Sequence, residues 1–221
     1  MDSIIQYLIH LILQLNFLYL CVKQINMAIV KNFIDLDLTK SYTYSDYLLW
    51  QFSERVELIK GFIRKMSPAP NRSHQTISQN LNFKILNFFN THSCSVYVAP
   101  FDVRLPIKSA KKDSTIVQPD LCVICDETLL DEQGCNGAPD LIVEILSPNN
   151  SNHDLHTKFN LYQEAEVKEY WIVQPQEKVV LVYSLKDGQY VGLKPFAEGQ
   201  IIESNLFPEL KVAVDDVFYK A

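Results

Sequence analysis

Two strand-like runs constrain this chain more than any other feature: GAPDLIVEILSPNN, from Gly137 to Asn150, and the shorter VQPDLCVIC, from Val117 to Cys125. Each sets a Pro-Asp pair before a β-branched apolar run too short for a core helix, which predicts a buried strand with a carboxylate at its mouth. Within the longer run, alternation puts Asp140, Ile142, Glu144 and Leu146 on one face and Leu141, Val143 and Ile145 on the other. Glu144 therefore sits inside a buried strand. A carboxylate there needs a counter-charge or a metal.

The 221 residues are 48% hydrophobic and 21% charged, enough to bury a core in a single domain over residues 27–221. A formal charge of −6 argues against wholesale coating of nucleic acid, although a local basic cleft can still serve. The one dense basic cluster is Lys108, Lys111 and Lys112. Five cysteines with no paired framework fit a reducing compartment, hence the cytoplasm. Cys122 and Cys125 resemble half a zinc site, but alternation sends their thiols to opposite faces.

Residues 4–22 approach the length of a membrane span, yet Gln6, His10, Gln14 and Asn16 interrupt them, and Asp2 stands where a secretory signal would be basic. Met27 begins MAIVKNF, which looks like an ordinary start. The first 26 residues are thus expected to be an apolar extension outside the native protein, with an amphipathic appendage or an anchor as alternatives.

Further along, a short helix is expected within Leu38–Phe52, then a hairpin in VELIKGFIRKMSP turning at Lys60-Gly61. After the loop SPAPNRSHQ, Ile77, Leu81, Ile85 and Phe88 recur at helical spacing to about Asn90. Strands are expected at SVYVAP and FDVRLP, then the two opening runs separated by an acidic loop. A second helix runs from about His153 to Glu166 on a stripe of Leu155, Phe159 and Tyr162. EYWIVQP, KVVLVYSL and QYVGLKPF read as strands, and Val214–Tyr219 as a short helix. The class is mixed α/β or α+β, a mixed β-sheet flanked by helices.

If the two opening strands are neighbours, Asp120 and Glu144 lie within a few Å of each other and repel. Mg²⁺, with Mn²⁺ as a substitute, resolves that conflict with oxygen ligands and retained waters. Glu57, at the mouth of the hairpin, is a third acid. Such a carboxylate set activates water and polarises a phosphoryl oxygen. No segment calls for a small-molecule cofactor.

Taken together, VELIKG, MSPAPNRSHQ, DVRL, VQPDLCVI, GAPDLIVEILSP, the Asp154, Lys158 and Tyr162 series and VKEYWIVQP resemble the bacterial Uma-two family of restriction-endonuclease-like proteins, a branch of the PD-(D/E)XK nuclease superfamily. The resemblance runs from about Tyr44 to Leu185. It implies an αβββαβ restriction-endonuclease-like core, with Asp120 and Glu144 as the motif acids and Glu57 as the acid ahead of the hairpin. It also implies DNA as the substrate, with a homodimer expected because cutting both strands needs two centres.

One position departs from the superfamily pattern: Leu146 stands where the motif lysine should share the strand face of Glu144. An aliphatic side chain can neither orient hydroxide nor stabilise developing charge. Lys158 is the replacement candidate, about 60° around its helix from Leu155 and at the margin of the buried stripe; the bland alternative is a snorkelling lysine paired with Asp154. His74 and Arg104 are substrate-binding candidates, against packing and surface-pairing alternatives. The expected activity is Mg²⁺-dependent DNA hydrolysis by Glu57, Asp120, Glu144 and Lys158. An inactive nuclease-fold module that binds DNA or protein, and a membrane-tethered protein, are the alternatives.

Overall fold

The structure, a computed structural model, describes residues 29–66, 70–147 and 152–221. The apolar extension of residues 1–26 lies outside them. The chain divides into two compact units, residues 1–37 with 45–53 and residues 38–44 with 54–221. In the first, Val30 bridges Trp50, and Trp50 stacks on Phe52. The helix expected within Leu38–Phe52 is a single turn, Tyr44–Tyr47. It stops there because the Leu49 carbonyl accepts the Val30 N–H and the Gln51 N–H bonds the Val30 carbonyl, which commits the backbone to a bridge.

The second unit holds the two large sheets. Strands β1 (Val56–Ile59) and β2 (Phe62–Lys65) form the expected hairpin. Lys60 and Gly61 carry φ of 54° and 89°, the paired left-handed conformation of a tight hairpin turn. Helix α1 (Arg72–Phe89) follows, its Asn71 side chain accepting the His74 N–H as an N-cap. Ile77, Leu81, Ile85 and Phe89 form its fully buried stripe, each contributing about 2 kcal/mol of apolar burial. Then come β3 (Ser95–Val98), β4 (Val103–Arg104), β5 (Ile116–Val117) and β6 (Leu121–Ile124). The acidic loop contains a hairpin that the sequence pattern does not predict, β7 (Leu130–Asp131) with β8 (Gly134–Asn136). Its runs are too short to show alternation.

Strand β9 (Leu141–Ile145) leads to helix α2 (Asn152–Glu164), then β10 (Glu169–Gln174), β11 (Val179–Lys186) and β12 (Gln189–Gly192). A last hairpin pairs Ile201–Glu203 with Lys211–Ala213, ahead of a helical turn at Val214–Val217. One sheet has the order β2-β1-β5-β4-β8-β7 and the other β12-β11-β10-β9-β6-β3. The chain passes from the first to the second in three residues, Gln118, Pro119 and Asp120. On the second sheet one face packs Leu121, Val143 and Trp171 against α1. The other packs Cys122, Ile142 and Ile172 with Leu161 and Tyr162 of α2. This mixed architecture is the expected fold class.

Cys94 and Cys125 form a disulfide, which corrects the expectation of unpaired thiols. The cause is tertiary: Ser95 pairs with Ile124 across β3 and β6, so the next residues outward face each other. Cys122 and Cys135 are buried free thiols, and burial pushes Cys135 up to about 12, so neither offers a ready thiolate. No helix among the described residues is long and apolar enough to cross a membrane.

Glu169, at 0% exposure, ties the end of the second sheet to the following loop. One of its oxygens accepts the Trp171 indole N–H, and the other accepts the backbone N–H groups of Asn205 and Leu206. Glu169→Ala would leave the buried Trp171 indole N–H unsatisfied and take the acceptor from the part-buried Asn205 and Leu206 N–H groups. A loss of about 3 kcal/mol in urea unfolding is expected; a loss below about 1 kcal/mol would show that water replaces the carboxylate.

Candidate active site

Three acids converge because two strands and a crossover bring them there. Leu121 pairs with Val143 across β6 and β9, and continuing that antiparallel register by one residue sets Asp120 opposite Glu144. The Ile145 N–H donates to Asp120 Oδ2 at 2.7 Å, fixing the carboxylate at the strand mouth. Glu57 reaches the same cleft from β1 of the other sheet, its Oε1 accepting the Gln118 N–H at 3.0 Å. Glu57 is 5% and Glu144 8% exposed, so both have left most of their water. They line a cleft of about 340 Å³ together with His74, Gln118, Asp120 and Lys158.

Lys158 supplies the counter-charge. From α2 its Nζ lies 2.8 Å from Glu144 Oε1 and 3.1 Å from Glu57 Oε1. The Tyr162 hydroxyl, one helical turn on, donates to the same Glu144 oxygen at 2.6 Å. Burial opposes the Lys158 charge, but Glu144 and Glu57 more than offset it and hold the ammonium well above its ordinary value. Glu144 behaves in the opposite sense. Burial, reinforced by Asp120 and Glu57 and resisted by Lys158, pushes its carboxyl up to about 7.

His74, buried on the first turn of α1, stands with Nε2 3.3 Å from Asp120 Oδ2. Burial lowers its affinity for a proton, yet Asp120 outweighs that and raises it. Its Nδ1 is buried without a hydrogen-bond partner among the described residues. Asp140, which shares the Pro-Asp entry, serves the fold instead. It accepts the Cys125 N–H and pairs with Lys168 at 2.6 Å, anchoring a strand end.

Arg104 is not brought to the acids. Its guanidinium pairs with Asp131, donates to the Cys135 carbonyl and lies 4.7 Å from the centroid of the Tyr44 ring. Its charge is used in the first sheet, so the substrate-binding expectation for it gives way to a structural one. Two contributors are absent from the set of site residues that the sequence suggests. Tyr162 reads there as part of the packing stripe and of the series shared with the resembled family, with no site role, and Gln118 carries no signal beyond its place next to the Pro-Asp pair. The Gln118 side chain accepts from Arg55 and donates to Asp102, which pins the crossover.

Among the described residues no group of three or more His, Cys, Asp or Glu side chains is arranged to enclose a metal ion. The donor set is Asp120 and Glu144, and the hydrogen bonds named above fall on one oxygen of each, Oδ2 and Oε1. A carboxylate accepts on both oxygens, so Asp120 Oδ1 and Glu144 Oε2 keep acceptor capacity. Two carboxylates fit Mg²⁺, which keeps several waters and takes substrate phosphate oxygens for the rest.

The family model Uma2, described as "Putative restriction endonuclease", matches residues 44–215. Among solved structures, the chain is similar to the crystal structure of "a putative nuclease belonging to DUF820 from Anabaena variabilis" at 21% identity and a TM-score of 0.63, covering 80% of this chain and 97% of that one. At that identity the likeness speaks for the fold. Comparison with curated proteins gives no match.

The raised Glu144 carboxyl has a consequence for stability. Folded, it titrates near 7; unfolded, it titrates near its ordinary value of 4.5. Its contribution is complete below the unfolded value and is lost as pH rises through the folded one, because the unfolded chain ionises first. Metal-free protein should lose on the order of 3 kcal/mol across that window, and Glu144→Gln should remove the slope. Urea midpoints measured in EDTA at a series of pH values check this; parallel curves for the two proteins would contradict it.

Proposed function

Since the chain belongs to the Uma2 restriction endonuclease family, we propose that it is a divalent-metal-dependent endonuclease that hydrolyses phosphodiester bonds of DNA. The observation that supports this most is the position of Lys158, 2.8 Å from Glu144 and carried by a helix where the strand itself offers Leu146. A cation thus returns to the carboxylates by another route.

In this reading Asp120 and Glu144 hold Mg²⁺, for which Mn²⁺ can substitute. Bound there, the ion lowers the pKa of a water and polarises a phosphoryl oxygen. Lys158, held protonated by its two acids, acts as a donor: it orients the attacking oxygen or stabilises charge on the pentavalent phosphorane-like state. Glu57 is the second carboxylate to hold the Lys158 ammonium and assists the water. His74 holds Asp120 toward the cleft. The proposal takes residues 27–221 as one restriction-endonuclease-like domain, with residues 1–26 outside it. It places the protein with DNA, acting as a homodimer so that two centres can address two strands.

One observation favours a second reading, a catalytically inactive nuclease-fold module that binds DNA or protein. Lys158 already pairs with both Glu144 and Glu57, so each of these carboxylates has a partner without a metal.

Nicking of supercoiled plasmid by the full chain decides between them. Cutting is expected with Mg²⁺ or Mn²⁺, none in EDTA, and a loss of about 10²-fold or more in Glu144→Ala and in Lys158→Ala, both checked for folding. Cutting that persists in EDTA or in Glu144→Ala would defeat the proposed site.

A further inference from the structure

The cleft carries an electrostatic difficulty for any nucleic acid that enters it. Three carboxylates, Glu57, Asp120 and Glu144, line it in a chain of formal charge −6. A phosphodiester strand brings one negative charge per nucleotide, so a local cation must offset the repulsion beyond the reacting phosphate. Four basic side chains besides His74 line the cleft: Arg55, Arg64, Lys65 and Lys158. Three are engaged already. Lys158 bridges Glu57 and Glu144, the Arg55 guanidinium donates to Gln118 Oε1 at 3.0 Å, and Lys65 has an interaction of its own.

Arg64 is different. It is exposed at the cleft rim and, among the described residues, makes no hydrogen bond or ion pair. Its position is set by the hairpin. Glu57 pairs with Arg64 across β1 and β2, and side chains directly opposite in an antiparallel pair project from the same face with Cβ atoms about 5 Å apart. The Lys60-Gly61 turn fixes that register. Arg64 thus flanks the acid that contacts Lys158, yet no carboxylate among the described residues lies within 4.0 Å of its guanidinium. A planar fork of donors in that position matches a phosphate, and no group among the described residues occupies it.

We propose that Arg64 forms a phosphate subsite on the β1–β2 hairpin, gripping the nucleic-acid backbone next to the reacting phosphodiester. This rests on the nuclease reading above and deepens it. The subsite reads no sequence, since a backbone contact sets register and orientation only. It takes the substrate-gripping role that Arg104, tied to Asp131, does not have.

The test is equilibrium binding of short fluorescent duplex and single-stranded oligonucleotides to the full chain, with Ca²⁺ in place of Mg²⁺, over a series of NaCl concentrations. Arg64→Gln should weaken binding several-fold for every sequence and reduce the slope of log K against log salt by about 0.9 for duplex or about 0.7 for single strands. Arg64→Lys, which keeps the charge, should restore the slope. The unfolding midpoint of Arg64→Gln, an exposed substitution, should match the parent. Parent-like affinity and slope in Arg64→Gln would overturn the subsite while leaving the nuclease reading standing. If the parent binds neither oligonucleotide, the nuclease reading fails and the subsite with it.

Discussion

The pairing of one lysine with two buried carboxylates is the interaction on which the site depends. Glu144 lies inside a strand buried on both faces, and Glu57 comes from a different sheet, so their charges would repel in a region largely stripped of water. Lys158 removes that conflict by standing between them. The arrangement ties α2, β9 and β1 into one electrostatic unit. Its members cannot be changed singly without exposing another's charge, which is the reason a buried ion pair is costly to break even when it adds little to net stability.

Around that unit the backbone does the positioning. The crossover Gln118-Pro119-Asp120 takes the chain from one sheet to the other, and two of the three acids, Glu57 and Asp120, depend on it. Its N–H holds Glu57, its carboxylate is held by Ile145, and its glutamine side chain is pinned between Arg55 and Asp102. A short, hydrogen-bonded connection of this kind limits how far the acids can drift apart. The N-terminal turn of α1 closes the third side through His74.

Charge elsewhere in the chain is largely settled in local pairs: Lys60 with Glu164, Lys84 with Asp216, Lys108 with Glu166 and Lys168 with Asp140. Lys108, part of the densest basic cluster in the sequence, is thus paired outside the cleft lining, and the Lys and Arg side chains of the cleft are Arg55 just before β1, Arg64 and Lys65 on β2 and Lys158 on α2. Cluster density in sequence is a poor guide to a basic surface, because folding pairs neighbours and strands isolate others.

Much of this was legible in one dimension. The two Pro-Asp runs fixed two buried strands, the 77, 81 and 85 spacing fixed α1, and the Lys60-Gly61 turn fixed the hairpin and with it the facing of Glu57 and Arg64, all because period and turn chemistry are local. The buried Glu144 announced the need for a counter-charge. Which side chain meets that need was not local: Lys158 was the expected replacement lysine and Arg104 an expected substrate contact, and each had a bland alternative. Only the tertiary structure brings one to Glu144 and Glu57 and the other to Asp131. The same holds for Cys94 and Cys125, 31 residues apart and joined through the β3–β6 register, and for Asp120 and Asp140, whose matching Pro-Asp entries lead one into the cleft and the other to a strand end. Sequence determines the faces of each element; pairing between elements, which depends on how the sheets close, decides which faces meet.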